Sequence, residues 1–350
     1  MPKYSFIVPA YQSENTLENT VVSIQNAGLP DIEIVIIDDG STDGTIHVCR
    51  KLQEKYSNVN YFYQHNSGVS VARNCGIQHA KGEFILFVDA DDQLTPFDAQ
   101  KLDDHFSAGA DMVIFGMEFR YHRSGRCVRT EKMTCDGTMV LGLQDIGEQF
   151  SYLFSRNYLS SACNKIIRKS VLLDNEVFFN PDLINYEDLE FSIRSAMCCG
   201  SIVAIPDVHY VYDLTYGQDR TIQRVSRIPN IIMAVDPIAN AMLALNERIG
   251  FDSNDICPGI LEVMRMVYMD MLVCKMKTAS LEQIREHCSY VRSNPNIARC
   301  MSADQLKDAV SLRLLNWLLE SRTVRIWTYF RYRNVRNYIV RHIKMLLGKY

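Results

Sequence analysis

Along the first hundred residues, short apolar runs alternate with stretches in which apolar side chains recur at helical spacing. Ser5 to Val8 reads as a strand. Glu14 to Ala27 reads as a helix with Leu17, Val21, Val22 and Ile24 on its apolar side, stopped by Gly28 and Pro30. Ile32 to Ile37 is a second strand, after which Gly40 turns the chain and Ser41 or Thr42 caps a helix running to about Tyr56. Val59 to Tyr63 is strand, Val69 to Ala80 is helix ended by Gly82, and Glu83 to Val88 is strand again. Strands separated by helices of roughly ten to fifteen residues predict parallel pairing with right-handed crossovers.

Two of these strands deliver acid at their ends. Phe84 to Val88 runs into Asp89, Asp91 and Asp92, and Ile32 to Ile37 runs into Asp38 and Asp39. Carboxylates so close repel one another unless a cation or several hydrogen-bond donors share their charge. One reading is a divalent ion held against a phosphorylated substrate. The plainer reading is an acidic turn capping a helix that begins near Pro96. In open sheets alternating with helices, ligands sit beyond the carboxyl ends of the strands, so these five acids are expected to line one crevice.

Four motifs in order then carry a resemblance: Ser5 Phe6 Ile7 Val8 Pro9 Ala10 Tyr11; Ile36 Ile37 Asp38 Asp39 Gly40 Ser41 Thr42 Asp43; Asn66 Ser67 Gly68 Val69 Ser70 Val71 Ala72 Arg73 Asn74; and Phe87 Val88 Asp89 Ala90 Asp91 Asp92. They resemble the nucleotide-binding half of the family 2 glycosyltransferases, an inverting group. The fold this implies is α/β: the GT-A nucleotide-diphospho-sugar transferase fold, a Rossmann-like mixed sheet flanked by helices. The resemblance implies that Pro9, Ala10 and Tyr11 wall a nucleoside pocket, with Asn66 and Ala90 in the same donor site. Asp39 would accept a hydrogen bond from the uracil imide, which makes a UDP-sugar the expected donor. Arg73 suits a diphosphate oxygen, its plainer role being a surface ion pair. Asp91, helped by Asp89 (or Asp92), would hold Mn2+ or Mg2+ in the Asp-x-Asp pattern.

In the second half, Ile184 Asn185 Tyr186 Glu187 Asp188 Leu189 Glu190 Phe191 opens a helix with acids at its N-terminus, where the helix dipole favours them. The Glu-Asp pair before Phe191 resembles the family's base motif and puts that role on Asp188, with Glu187 on the acceptor side. Cys163 Asn164 Lys165, ahead of the short strand Ile166 to Arg168, resembles a family segment near the acceptor and marks Asn164 and Lys165. Ile202 to Pro206 and His209 to Tyr212 read as two strands that close the core, with His209 packed beside tyrosines. The family often places Arg after that aromatic pair; here Asp213 stands there, leaving Arg220, Arg224 or Arg227 to replace it.

At 350 residues and 47% apolar, the chain exceeds one ordinary domain. Residues 1–215 are expected to form the catalytic domain, 1–115 serving the nucleotide sugar and 116–215 the acceptor, with a mostly helical region over 216–350. Charge divides the ends. Residues 1–110 hold 15 acids against 7 Lys and Arg, whereas residues 321–350 hold eight Lys and Arg and no acid, interleaved with Trp327, Tyr329, Phe330, Tyr332 and Tyr338. That tail reads as lying on an anionic inner-membrane surface; docking on a partner or on a second copy is the alternative, and nothing else in the chain reads nucleic acid. Eleven scattered cysteines, without C-x-x-C or a signal peptide, point to reduced thiols and a cytoplasmic enzyme, peripheral on the membrane.

The expected reaction is metal-dependent, inverting transfer from a UDP-sugar to a hydroxyl of a glycan or lipid-linked glycan in surface polysaccharide synthesis. A sugar-nucleotide pyrophosphorylase would need a glycine-rich basic loop where Pro9 Ala10 Tyr11 Gln12 stands. A non-catalytic sugar-nucleotide or glycan-binding module would not need acids at 39, 91 and 188.

Overall fold

The computed structural model describes residues 2–183, 185–215, 231–251 and 256–264, with scattered positions to 289. Residues 1–219 and 236–260 form one compact unit; residues 220–235 and 261–350 belong to a second. The basic tail, Arg220, Arg224 and Arg227 lie outside the described residues.

The first unit is built on one sheet. Strands β1 (Tyr4–Ala10), β2 (Ile32–Asp39), β3 (Val59–Gln64) and β4 (Phe84–Phe87) are parallel in the order β3-β2-β1-β4. The near-continuous burial of β1, β2 and β4 is that of a sheet covered on both faces, while β3 at the edge is only partly buried. Helices α1 (Leu17–Gln25), α2 (Thr45–Lys55) and α3 (Val69–His79) connect them. Ser41 and Thr42 do not cap α2: it starts after Gly44, while the Ser41 and Thr42 hydroxyls accept bonds from the Gln12 backbone N–H and side-chain amide at 3.0 and 2.7 Å. Val35 and Ile37 of β2 pack with Ala72 of α3. Gly76 lets α3 come this close, since a Cβ there would lie 2.2 Å from Ile7 Cγ2.

Beyond β4 the sheet changes direction. The turn after Asp92 gives the short β5 (Gln93–Leu94), then α4 (Ala99–Ser107), β6 (Met112–Arg123) and its hairpin partner β7 (Arg126–Met133). The N-cap of α4 is Asp98, which accepts from the Lys101 N–H at 3.1 Å, so the acids of residues 89–92 are free of that duty. After β8 (Met139–Leu141), α5 (Leu143–Glu148) and α6 (Phe150–Ser155), strand β9 (Lys165–Arg168) enters antiparallel between β4 and β6. Helices α7 (Lys169–Asp174) and α8 (Glu187–Cys198) follow.

The two strands expected over residues 202–212 are one, β10 (Ile202–Thr215), parallel to β6 with register shifts around Pro206. A proline has no N–H for the ladder, and a bulge is where a continuous strand tolerates it. His209 packs against Phe97 and Phe115, with ring centroids 4.1 and 5.7 Å away, so its neighbours are phenylalanines. Helix α9 (Ile231–Arg248) follows residue 230. Among the described residues, no helix is long and apolar enough to cross a membrane.

Candidate active site

The carboxyl end of β2 is the first part of the site. Register sets Ala10 opposite Asp38 and Asp39 opposite Gln64, so the ends of β1, β2 and β3 stand together. The side chains of consecutive strand residues point to opposite faces, and the two acids accordingly part company. Asp38 is fully buried and accepts from the Ser41 N–H at 2.9 Å and the Tyr61 hydroxyl at 3.3 Å. It is a structural acid and leaves the expected crevice.

Asp39 faces α3. Its Oδ1 accepts from Gln64 Nε2 at 2.7 Å and the Ser67 N–H at 2.8 Å, and its Oδ2 from the Gly68 N–H at 2.8 Å. A carboxylate has about four lone-pair directions, so these three donors leave roughly one, on Oδ2. The left-handed Gly40 (φ 76°) makes the arrangement possible, because a Cβ on it would lie 2.6 Å from the Asn66 backbone nitrogen. Pro9 is half-buried, Ala10 buried, and Tyr11 and Asn66 exposed around this end.

The end of β4 is the second part. Tyr210 of β10 accepts a hydrogen bond from the Asp89 N–H at 3.1 Å and donates one to Asp92 Oδ2 at 2.6 Å. Asp92 is buried, accepts also from the Asp213 N–H at 3.3 Å, and receives the Thr20 hydroxyl on its carbonyl at 2.8 Å. Burial, and then the neighbouring Asp89 and Asp91, push its carboxyl well above the usual carboxylate range. Asp92 thus bolts the acidic turn to β10, which corrects the expectation of an open crevice acid. Ala90 is buried, Asp89 is partly open and Asp91 is exposed. Asp213, where the family often has Arg, pairs with His122 Nε2 at 2.6 Å.

An aromatic trio joins this turn to α8. Phe87 at the end of β4 meets Phe179 and Phe191 edge-on, with centroids at 5.2 and 5.7 Å, and those two rings stack at 3.9 Å. Asn74 of α3 holds the Phe179 backbone from both sides, accepting its N–H and donating to its carbonyl at 2.8 Å each. Phe191 lies three residues beyond Asp188 on the same helix, so its burial brings Asp188 to the acidic turn. The chain enters α8 through a left-handed Tyr186 (φ 62°), a rare conformation for a bulky residue that sets the direction of the first turn.

Arg73 closes the junction. It is 3% exposed, lies 5.1 Å from the Phe179 ring centroid, and gives one terminal nitrogen to Asp89 Oδ1 at 2.9 Å and the other to Asp188 Oδ1 at 2.6 Å. Burial opposes its charge, but Asp188 and Asp89 outweigh burial and hold the guanidinium well above its ordinary value. This is no surface ion pair. The second oxygen of Asp188 accepts the Ala162 N–H at 3.2 Å.

Asn164 and Lys165, expected on the acceptor side, are fully buried. The Asn164 amide donates to the Phe115 and Asn157 carbonyls at 3.1 and 3.0 Å, and the Lys165 ammonium is turned to the Ser161 carbonyl and to Asn164 Oδ1. Both side chains give their donors to groups at the entry to β9 rather than to an open surface. Glu187 is buried too, at 8% exposure.

Helix α3 therefore ties the motifs together: its N-terminal loop holds Asp39, its first turns hold Asp89 and Asp188, and adjacent strands about 4.8 Å apart put the ends of β2 and β4 roughly 10 Å from each other. Sequence reading gave no such role to Asn74, Phe179, Tyr210 and Ala162, which act through a side-chain amide, a ring, a hydroxyl and a backbone N–H and leave no charge pattern.

The strand order and the acid-bearing strand ends define a GT-A type α/β fold. Residues 5–174, just under half of the chain, match the sequence model described as "Glycosyl transferase family 2" and carry that family's sequence pattern. Over 219 residues it is 29% identical to poly(ribitol-phosphate) β-N-acetylglucosaminyltransferase TarS of Staphylococcus aureus, covering 61% of this chain and 35% of TarS. It is 27% identical to the putative glycosyltransferase EpsH of Bacillus subtilis over 215 residues, 60% of each chain. The chain thus spans about a third to three fifths of these curated relatives. The crystal structure of a 1–349 fragment of S. aureus TarS in complex with UDP-GlcNAc superposes with a TM-score of 0.63 at 20% identity, covering 96% of this chain and 92% of that one.

Proposed function

We propose that the chain transfers a sugar from a UDP-sugar to a hydroxyl of a glycan or lipid-linked glycan in surface polysaccharide synthesis, with inversion at the anomeric carbon. The observation that carries this reading is the position of Arg73, which lies on α3, the helix whose N-terminus holds Asp39, and joins the acidic turn to Asp188 of α8. The names of the relatives, N-acetylglucosaminyl- and galactosyltransferases among them, support the class of reaction.

Pro9, Ala10, Tyr11 and Asn66 would wall the nucleoside, and the remaining direction on Asp39 Oδ2 would accept the uracil imide. Asp188 would take the proton of the acceptor hydroxyl as that oxygen attacks the anomeric carbon from the side opposite the diphosphate. The bond to the diphosphate breaks as the new one forms, and UDP leaves. Both terminal nitrogens of Arg73 are already given to carboxylates, so it would serve the leaving group by charge and hold the base in line.

The donor set fits a hard divalent ion. Among the described residues no three His, Cys, Asp or Glu converge on one point, yet Mn2+ or Mg2+ at such sites uses one or two carboxylates and completes its shell with phosphates and water. Asp91 and Asp89 would hold it, and when bound it would neutralise charge on the departing diphosphate. The basic tail over 321–350 would rest on an anionic membrane; loss of co-sedimentation with phosphatidylglycerol vesicles on deleting it is the expected result, and unchanged co-sedimentation contradicts that assignment. The transfer itself is tested by thermal stabilisation and UDP release across UDP-glucose, UDP-galactose and their N-acetylamino forms, with and without Mn2+, the sugar passing to an added glycan acceptor or, more slowly, to water. No stabilisation by any of them would sink the proposal.

A further inference from the structure

Lys165 presents an unusual expense in a core: a fully buried ammonium whose donors go to two neutral oxygens, the Ser161 carbonyl and, at 3.0 Å, Asn164 Oδ1. Burial pulls its pKa from 10.5 down to about 8. An aliphatic side chain would fill the same space without desolvating a charge. The direction of the ammonium therefore needs a reason, and the peptide it touches supplies one.

The carbonyl of Ser161 and the N–H of Ala162 belong to one planar peptide unit and point in opposite directions. On one side Lys165 donates to the carbonyl, joined by the Ser192 hydroxyl at 3.4 Å from the helix that carries Asp188. On the other side the Ala162 N–H donates to Asp188 Oδ2 at 3.2 Å. Donors on the oxygen of an amide polarise it and strengthen its N–H as a donor. Arg73 meanwhile holds the other oxygen, Oδ1, at 2.6 Å.

We infer that Lys165 is a positioning residue for Asp188, acting through the Ser161–Ala162 peptide to fix the plane of that carboxylate. It touches no substrate and moves no proton. With one donor on each oxygen, the carboxylate cannot rotate about its Cβ–Cγ bond without breaking a hydrogen bond, and the lone pairs left over keep one direction toward an incoming hydroxyl. The inference rests on the reading of Asp188 as the base.

The test uses Lys165→Met and Asp188→Asn in the full chain, with UDP release from the four UDP-sugars named above, UDP affinity by calorimetry and thermal unfolding. Lys165→Met should lower turnover roughly tenfold to a hundredfold, the cost of a misplaced catalytic group. UDP affinity should stay within about twofold and the unfolding midpoint should hold or rise, since a buried charge has been removed. In the Asp188→Asn background, adding Lys165→Met should cost no further turnover. Normal turnover in Lys165→Met beside a disabled Asp188→Asn overturns the positioning role alone; so does a loss shared equally with UDP affinity. Normal turnover in Asp188→Asn, or no UDP release by the unaltered protein, removes the underlying reading instead. Should Lys165→Met not fold, Lys165→Leu, which likewise removes the donor to the Ser161 carbonyl, is judged by the same turnover and affinity values.

Discussion

Asp39 and Asp188 are both carboxylates held by three or fewer protein donors, yet they are held in different ways. Asp39 receives two backbone N–H groups and one side-chain amide, all neutral and all from residues 64–68, the end of β3 and the loop that opens α3. Asp188 receives one guanidinium and one backbone N–H, brought from α3 and from the loop before β9. A carboxylate fixed by local neutral donors is a rigid acceptor suited to reading a base. One fixed by a buried charge, which is itself shared with Asp89, is tied electrically to whatever the acidic turn binds. The groups that hold Asp39 come from one short stretch, residues 64–68, whereas Asp188 of α8 is held only when α3 and the loop before β9 are packed against it.

Replacements at the two ends should therefore separate binding from turnover. Asp188→Asn is expected to lower UDP release by about a thousandfold, within the range for loss of a general base, with UDP affinity by calorimetry unchanged. A parallel loss of both would merge the two ends into one binding site. Arg73→Met leaves Asp89 and Asp188 facing one another without their shared cation; urea unfolding should register a loss of about 3–5 kcal/mol, and a change under about 1 kcal/mol would show the clamp to be unimportant. Asp39→Asn puts an amide N–H against donors that need an acceptor, so UDP affinity should fall by roughly tenfold and the preference for UDP over CDP should narrow, with little change in turnover at saturating donor. Unaltered preference would remove Asp39 from base reading.

A smaller effect concerns stability and pH. Lys165 titrates at about 8 in the folded chain against 10.5 unfolded, so the unfolded chain binds more protons between those values and stability rises with pH across that window. The contribution is complete above 10.5 and is lost as pH falls through about 8. Lys165→Met lacks it, so its thermal midpoint should exceed that of the unaltered chain by more at pH 8 than at pH 10; a gap independent of pH would contradict the burial of a titrating ammonium.

How far these features could be read in advance follows the same division. The parallel strands β1 to β4 and helices α1 to α3 were legible because each buries a local apolar pattern and ends at a turn residue. The acids at 39, 89, 91 and 188 stood out by charge against apolar runs. Register-dependent contacts were not legible: Tyr210 meets Asp92 where β5 pairs with β10, and Arg73 meets Asp188 where Phe87 packs edge-on against the stacked Phe179 and Phe191. The burial of Asn164 and Lys165 was not legible for the opposite reason. Polar residues before a short strand suggest exposure, but β9 is threaded between β4 and β6, and their polar groups are spent inside.

A divalent ion joining the acid-tipped turn to a nucleoside diphosphate is the proposal with the widest consequences. Calorimetric titration of UDP into the protein with Mn2+, and again with EDTA, tests that directly. Affinity should be at least about tenfold tighter with Mn2+, a difference of about 1.4 kcal/mol, and Asp91→Ala should erase the difference. Equal affinity under both conditions in the unaltered chain would contradict the account.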